Sequence, residues 1–220
     1  MEHGQRRVGF YEKYIKTVQD KCLSLLALIL LSPVLLVIAA LVRLHLGSPV
    51  LFRQERAGKW GKPFYMYKFR TMRIDTPKDT PTHLLENPEK YITPVGKFLR
   101  KTSLDELPSL WNVVCGHCSL VGPRALYVKY IPRYTPEQAR RLEVRPGITG
   151  LAQVSGRNAI DWETRFAYDV QYVDHITFIG DWKILLQTVG KVCRREGITS
   201  ATSVTMEEFM GSEREEIPHE

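Results

Sequence analysis

Four cysteines are scattered through 220 residues, Cys22, Cys115, Cys118 and Cys193, at no spacing that reads as a disulfide framework. The chain must therefore hold itself together by an ordinary core, and a reducing, cytoplasmic setting is the natural expectation. Cys115 and Cys118 make a lone Cys-x-x-Cys with no second Cys or His pair at zinc spacing, so they read as small buried hydrophobes. A cleavable signal peptide is not expected, because the first apolar run begins only at Cys22 and no Ala-x-Ala-like site follows it. No internal repeat and no recognised DNA- or RNA-binding motif is visible, so no nucleic acid is expected as a partner. Acidic residues are scarce at one end: residues 1–75 carry 13 Lys or Arg against 5 Asp or Glu. The basic excess thus sits beside the only long apolar run, a pattern that suits an anionic lipid surface better than nucleic acid.

That run, residues 22–42, is 21 residues without a charge. As a straight helix it would rise roughly 31 Å, about one hydrocarbon thickness. Two features argue against a simple span. Ser32-Pro33 lies at its centre, where proline removes a backbone donor and clashes with the carbonyl four residues earlier. Basic residues also flank both ends, Arg6, Arg7, Lys13, Lys16 and Lys21 before it and Arg43, Arg53, Arg56, Lys59 and Lys62 after it. The positive-inside rule then wants both ends on the cytoplasmic side. A re-entrant helix broken at Ser32-Pro33 meets both demands, with the Ser32 hydroxyl available to a backbone group that the proline frees. A single kinked span and a buried core helix are the alternatives. Upstream, Phe10, Tyr11, Tyr14, Ile15 and Val18 alternate with lysines as in a helix lying in the interface.

Beyond Gly47-Ser48-Pro49, residues 50–56 and 63–72 alternate apolar and polar around a two-glycine connection, the pattern of a β-hairpin. Residues 74–90 are polar and proline-rich and read as a mobile surface loop. Helices are expected over residues 95–100, 104–114, 136–142, 162–173 and 182–195. The last 14 residues are strongly acidic, and the extreme C-terminus is expected to fray. The fold class is α+β and helix-rich with a small sheet. Its expected organisation is a membrane hairpin over 1–46, a cytoplasmic catalytic domain over 47–210 and an acidic tail over 211–220.

Chemistry concentrates in Lys97-Phe-Leu-Arg100-Lys101-Thr-Ser103-Leu-Asp105-Glu106-Leu-Pro108. Ser103 followed by Glu106 has the form of a capping box, which would place a helix start here, while Pro108 is more comfortable if the helix starts later; either register aims free N–H groups at the acids or at a phosphate. Adjacent helical side chains diverge, so Asp105 and Glu106 cannot both address one atom from one direction. Two readings stand. In the first, one carboxylate holds a divalent cation against a diphosphate while the other attacks phosphorus and forms an acyl phosphate. In the second, the pair is only a cap with an exposed acid. Two further clusters set an arginine in a Gly/Pro turn suited to an anion, Gly122-Pro123-Arg124 and Arg145-Pro146-Gly147 running on to Gln153 and Arg157. Arg70, in Lys68-Phe69-Arg70-Thr71, joins them as an anion-binding candidate.

Taken together, the central Ser32-Pro33, Gln54-Glu-Arg56-Ala-Gly58, Tyr67-Lys-Phe-Arg70-Thr-Met72, Thr102-Ser-Leu-Asp105-Glu106-Leu-Pro108, Leu120-Val-Gly-Pro-Arg124 and Arg145-Pro-Gly-Ile-Thr-Gly150 resemble the bacterial sugar transferase family. These are the small monotopic phosphoglycosyl transferases, and the likeness runs from about residue 10 to about residue 210. It implies a membrane enzyme on the cytoplasmic face of the bacterial inner membrane, moving a sugar 1-phosphate from a UDP-sugar to undecaprenyl phosphate with release of UMP. By the same resemblance Asp105 would be the nucleophile, Glu106 the Mg²⁺ ligand, Arg100 a phosphate partner and Ser32-Pro33 the re-entrant break. Arg70, Pro123, Arg124 and Arg145 are candidates for substrate binding. The tail, Gly197-Ile-Thr-Ser200 through Phe209, is similar to the subgroup that transfers a bacillosamine phosphate at the start of N-glycan assembly, implying an N-acetylated sugar. One departure is Ala125, where the family's Pro-Arg-Pro motif has its second proline, so the loop loses a φ constraint. A homodimer through the interface helix is allowed by the pattern. A non-enzymatic adaptor on anionic lipid is the competing function.

Overall fold

A computed structural model describes residues 6–76, 88–156, 160–194 and 208–212. The chain opens with a π-helical turn, Tyr11–Ile15, that runs into α1 (Lys16–Leu30); α2 (Ser32–Leu46) follows after the single residue Leu31. The two helices are bent by 65° at that break. The cause is local: Pro33 has no N–H for the Ile29 carbonyl, and the Ser32 hydroxyl donates to that carbonyl at 2.7 Å. No single described helix is long and apolar enough to cross a membrane, and the bent pair is compatible with a re-entrant segment. Leu26, Ile29, Leu30, Leu36, Val37 and Leu44 stand exposed on it, as do Phe10, Tyr14 and Val18 upstream.

The side of this pair that faces the protein is not uniformly apolar. Helix α1 buries Lys16, Asp20 and Ser24. Lys16 Nζ lies 2.5 Å from Asp181 and 3.4 Å from Asp20, Ser119 donates to Asp20, and the Tyr11 and Tyr172 hydroxyls each donate to Asp181 at 2.8 Å. Helix α2 docks by Ile38 and Val42, which pack with Phe69, Leu99 and Leu104. A buried ionic face fixes register more sharply than an apolar one, because a shifted helix would leave charges unpaired.

Strands β1 (Leu51–Ala57) and β2 (Pro63–Phe69) pair antiparallel with Leu51 opposite Phe69 and Ala57 opposite Pro63. This is the expected hairpin, with its second strand ending earlier; Met72 instead bridges to Ile92. Of the polar stretch 74–90, residues 77–87 lie outside the described residues, and α3 (Pro88–Tyr91) is a single helical turn at its end. Helix α4 (Pro94–Lys101) starts on Thr93, whose hydroxyl accepts the Gly96 N–H, and it crosses the chain at Thr71 closely. A Cβ on Gly96 would sit 1.9 Å from the Thr71 carbonyl oxygen, so only glycine fits.

The helix expected over 104–114 is interrupted. Leu104–Glu106 is a 3₁₀ turn and α5 (Ser109–Val114) begins after Pro108, which cannot donate to the carbonyl behind it. Next come β3 (Ser119–Val121), α6 (Pro136–Ala139) with its Thr135/Gln138 capping box, and β4 (Gly147–Thr149). Then follow α7 (Leu151–Ser155), α8 (Trp162–Asp174) and α9 (Phe178–Arg194). Strands β3 and β4 pair parallel, Ser119 with Gly147 and Val121 with Thr149, a pairing the sequence pattern did not disclose. Gly122 and Gly147 let these backbones touch, since a Cβ on Gly147 would lie 2.1 Å from the Gly122 nitrogen.

Residues 213–220 lie outside the described residues. Glu208, however, pairs with Lys129 at 2.6 Å and Arg133 at 3.2 Å, and Phe209 is buried among Tyr130, Phe166, Trp162 and Tyr134. Its ring lies 4.9 Å from that of Phe166. Phe209→Ala is expected to lower stability by about 3 kcal/mol, read from the urea midpoint of the detergent-purified protein.

Candidate active site

The hairpin, the turn after α4, the loop after β3 and the helices α7 and α9 line one cleft of about 1320 Å³. Its walls carry Arg53, Arg56, Lys68, Arg100, Arg124 and Arg165, and its acids are Asp105 and Glu106. The acids owe their position to backbone geometry rather than to a cap. Ser103 adopts a left-handed conformation, φ 57°, and its side chain caps nothing; the capping box expected from Ser103 and Glu106 is not formed. A non-glycine residue held at positive φ marks a spot where the surroundings impose the turn. Ending α4 there throws the next turn outward, so Asp105 and Glu106 precede α5 instead of lying in its first turn. With α5 only six residues long, side-chain cations rather than a helix dipole supply the positive field.

The two neighbours are treated differently. Glu106 Oε1 accepts from Lys68 Nζ at 2.7 Å and from Arg124 Nη2 at 3.0 Å. Burial works against its charge, but Lys68 and Arg124 outweigh that and hold the carboxyl well below the ordinary carboxylate range. Asp105 is pushed up to about 6, first by burial and then by the Glu106 charge, with Lys68 and Arg100 pulling the other way. Arg100 is steadied by Thr71, whose hydroxyl accepts its Nε–H at 2.8 Å. One acid is thus locked as an anion, and the other sits poised near neutrality, the asymmetry expected of a pair with separate tasks.

The loop 123–125 is fixed by its carbonyls. Gly147 N–H donates to Pro123 at 2.9 Å, Arg141 to Arg124 at 2.7 Å and Arg56 to Ala125 at 3.3 Å. Arg141 is itself buried and anchored on Asp169 at 2.7 Å. Ala125, where the family pattern has proline, is buried with Phe64, Met66, Val113 and Cys118. Packing and these hydrogen bonds hold the loop in place of the missing ring.

Comparison with known proteins decides the family. The family model described as bacterial sugar transferase matches residues 11–195. The chain belongs to the bacterial sugar transferase family. It is 50% identical over 198 residues to the uncharacterized sugar transferase EpsL of Bacillus subtilis, covering 90% of this chain and 96% of that protein. It is 38% identical to the undecaprenyl-phosphate galactose phosphotransferase of Salmonella typhimurium, over 84% of this chain and 42% of that protein. It is 43% identical to the UDP-glucose:undecaprenyl-phosphate glucose-1-phosphate transferase of Klebsiella pneumoniae, over 80% of this chain and 39% of that protein. The sugar transferase chain therefore spans almost all of the Bacillus relative and about two fifths of the other two.

Within this member of the family, the expected site residues separate. Asp105, Glu106, Arg100 and Arg124 gather at the cleft. Arg70 lies on its wall, yet its guanidinium donates to the Leu46 carbonyl and, at 2.9 Å, to the Ser48 carbonyl, closing the end of α2. These bonds tie the helix pair to the hairpin, while the buried Arg70 Nε has no hydrogen-bond partner among the described residues. Arg145 is placed apart from the others: its guanidinium donates to Thr17 of α1, and it is not among the residues lining the cleft. Pro123 contributes its carbonyl to the loop, as above, and Arg157 lies outside the described residues. The motif reading missed Lys68, Arg56 and Arg141, although Lys68 and Arg56 lie inside quoted motifs. A lysine and an arginine set beside apolar neighbours on a hairpin, as in Tyr67-Lys68-Phe69 and Arg56-Ala57, look like solvated strand positions until the partner acid is placed. Cys115 is exposed and Cys118 is buried, its thiol pushed up to about 12 by burial.

The raised Asp105 carboxyl has a consequence for stability. Folding binds its proton more tightly than the unfolded chain does, so stability falls as pH rises from about 4 to about 6 and the penalty is complete at pH 7. Asp105→Asn is therefore expected to be more stable than the parent by about 1–3 kcal/mol at pH 7 and by nothing at pH 4, measured by urea unfolding at both values.

Proposed function

We propose that this bacterial sugar transferase moves a sugar 1-phosphate from a UDP-sugar to undecaprenyl phosphate, in two displacements through Asp105. The observation that carries the reading is the unequal pair at one cation-lined cleft: Glu106 paired twice, Asp105 with its carboxyl raised to about 6. In the first displacement an Asp105 oxygen attacks the β-phosphorus in line. The bond from that phosphorus to the bridging oxygen breaks, UMP leaves with the electron pair, and an acyl phosphosugar remains on Asp105. In the second, the terminal oxygen of undecaprenyl phosphate attacks the same phosphorus, and the Asp105 carboxylate is the leaving group. Arg100, Lys68 and Arg124 face the charge that spreads over the phosphoryl oxygens.

A divalent cation suits this donor set. Mg²⁺ commonly takes one or two carboxylates and completes its shell with water and substrate phosphates. Glu106 offers a hard, permanently ionised oxygen, and among the described residues no group of three ligands competes with it. When bound, the ion would offset diphosphate charge as a Lewis acid. Lys68 and Arg124, which hold Glu106 in the free protein, would be donors to a diphosphate brought there.

For the sugar, the relatives named for galactose and glucose put these two hexoses first. An N-acetylated donor such as UDP-diacetylbacillosamine is the expectation that the tail pattern raised, and of that tail residues 195–207 lie outside the described residues. We place the enzyme monotopically on the cytoplasmic face, with the bent α1–α2 pair re-entering one leaflet. The exposed apolar side chains on both helices and the basic flanks support this.

UMP release from UDP-glucose, UDP-galactose and N-acetylated UDP-sugars, with undecaprenyl phosphate and Mg²⁺, tests the reading. Asp105→Asn is expected to reduce release at least about 10³-fold while the protein stays folded and membrane-bound. In the parent enzyme kcat/KM should rise with pH through about 6, because only the ionised Asp105 attacks. Full activity in Asp105→Asn would overturn the proposal.

A further inference from the structure

At the end of the cleft formed by β4, α7 and α9, one side chain has the form of an unmet ligand contact. Gln153 on α7 lines the cleft, and neither its Nε2 nor its Oε1 has a hydrogen-bond partner among the described residues, although both are shielded from solvent. A carboxamide left in this condition is costly, since it presents two donors and an acceptor that water no longer serves. The backbone makes room for it: a Cβ on Gly150 would lie 2.9 Å from Gln153 Oε1, so glycine there leaves the amide its place.

The surroundings narrow what can answer the amide. Ala152 and Val192 bring apolar side chains of α7 and α9 to the same cleft, and Ile148 of β4 lines it beside Glu106 and Arg124. The nearby hydroxyls are engaged, Thr149 Oγ1 with Thr188 Oγ1 at 2.7 Å, and Thr188 with the Ile184 carbonyl at 2.7 Å. The corner therefore offers one paired donor and acceptor between apolar side chains. A hexose, with several hydroxyls to satisfy, would be left short; a flat heterocycle with an adjacent N–H and C=O is matched.

We propose that Gln153 is a specificity residue that pairs with the N3–H and carbonyl edge of the uracil ring of the donor nucleotide. This inference rests on the UDP-sugar reading above and names the group that reads the base. The cations at Glu106 serve the diphosphate, while Gln153 serves the ring; one end supplies charge and the other identity.

Calorimetric titration of the full-length protein in detergent tests the inference, using UDP, UDP-glucose and inorganic pyrophosphate as probes. Gln153→Met keeps the shape and removes both hydrogen-bonding functions. It is expected to weaken UDP binding about 10–100-fold and to leave pyrophosphate binding unchanged. Equal UDP affinity in parent and variant overturns the inference, as does an equal loss for UDP and pyrophosphate, which would mark a structural role. A loss confined to UDP-glucose would assign the amide to the sugar instead, and overturns it too. A parent that binds no UDP at all overturns the donor reading itself, whereas a parent that binds UDP as well as the variant does overturns only the role of Gln153. Should the variant fail to fold, the parent decides alone: the side-chain amide resonance of Gln153 is expected to shift on adding UDP and to stay in place with pyrophosphate, and no shift with UDP refutes the assignment.

Discussion

Glu106 is held from two directions, by Lys68 of β2 and by Arg124 of the loop after β3, and it stands on the 3₁₀ turn that ends α4. Three separate parts of the chain thus meet at one carboxylate. A carboxylate partly withdrawn from water in this way is held by its partners, and losing one leaves part of its charge uncompensated. The hairpin, the turn and the loop are therefore tied to each other through the site itself. The same arrangement sets Asp105 apart: its neighbour takes the close cations, burial and the Glu106 charge raise its carboxyl, and it remains the acid able to change state near neutrality. Division of labour between adjacent carboxylates follows from who is paired, since the residue types alone are nearly equivalent.

The helix pair is joined to that site by polar contacts. Lys16, Asp20 and Ser119 connect α1 to β3, Asp181 connects it to α9, and Arg70 connects the end of α2 to the chain leaving β2. Apolar packing alone would let a lipid-seeking helix slide, because hydrocarbon on one face resembles hydrocarbon on another. A buried ionic face allows one register. The cleft is consequently fixed relative to the exposed apolar side chains of α1 and α2, as the proposed reaction between a soluble nucleotide and a lipid phosphate requires.

Much of this was legible in the sequence, and what was missed has identifiable causes. The bend at Ser32-Pro33 and the hydroxyl that answers the freed carbonyl follow from proline chemistry within four residues. The hairpin follows from alternation, and helices α4, α8 and α9 from periodicity; α9 starts a turn earlier than expected. The β3–β4 pairing was invisible because three-residue strands carry no period and their partners lie far apart in sequence. Ser103 and Glu106 matched a capping box by spacing, but Pro108 and the left-handed turn moved the helix start beyond them. Arg70 and Arg145 matched anion-binding turns, and the structure adds that both side chains also bond the helix pair, Arg70 at the Leu46 carbonyl and Arg145 at Thr17. Local patterns name residues able to bind an anion; only the tertiary arrangement says which of them are still available. Phe209 shows the same limit from the other side, since no local pattern marked it as the residue that completes an aromatic core.

The central claim is that Asp105 carries the phosphosugar covalently between two half-reactions. Intact-protein mass spectrometry of the purified enzyme, given the active UDP-sugar and Mg²⁺ but no undecaprenyl phosphate, tests it most directly. The account expects a fraction of the protein to gain the mass of one sugar phosphate, located on Asp105 by peptide fragmentation, absent from Asp105→Asn and discharged when the lipid phosphate is added. UMP release that requires both substrates together, with no adduct at any time, would mean direct transfer within a ternary complex and would contradict it.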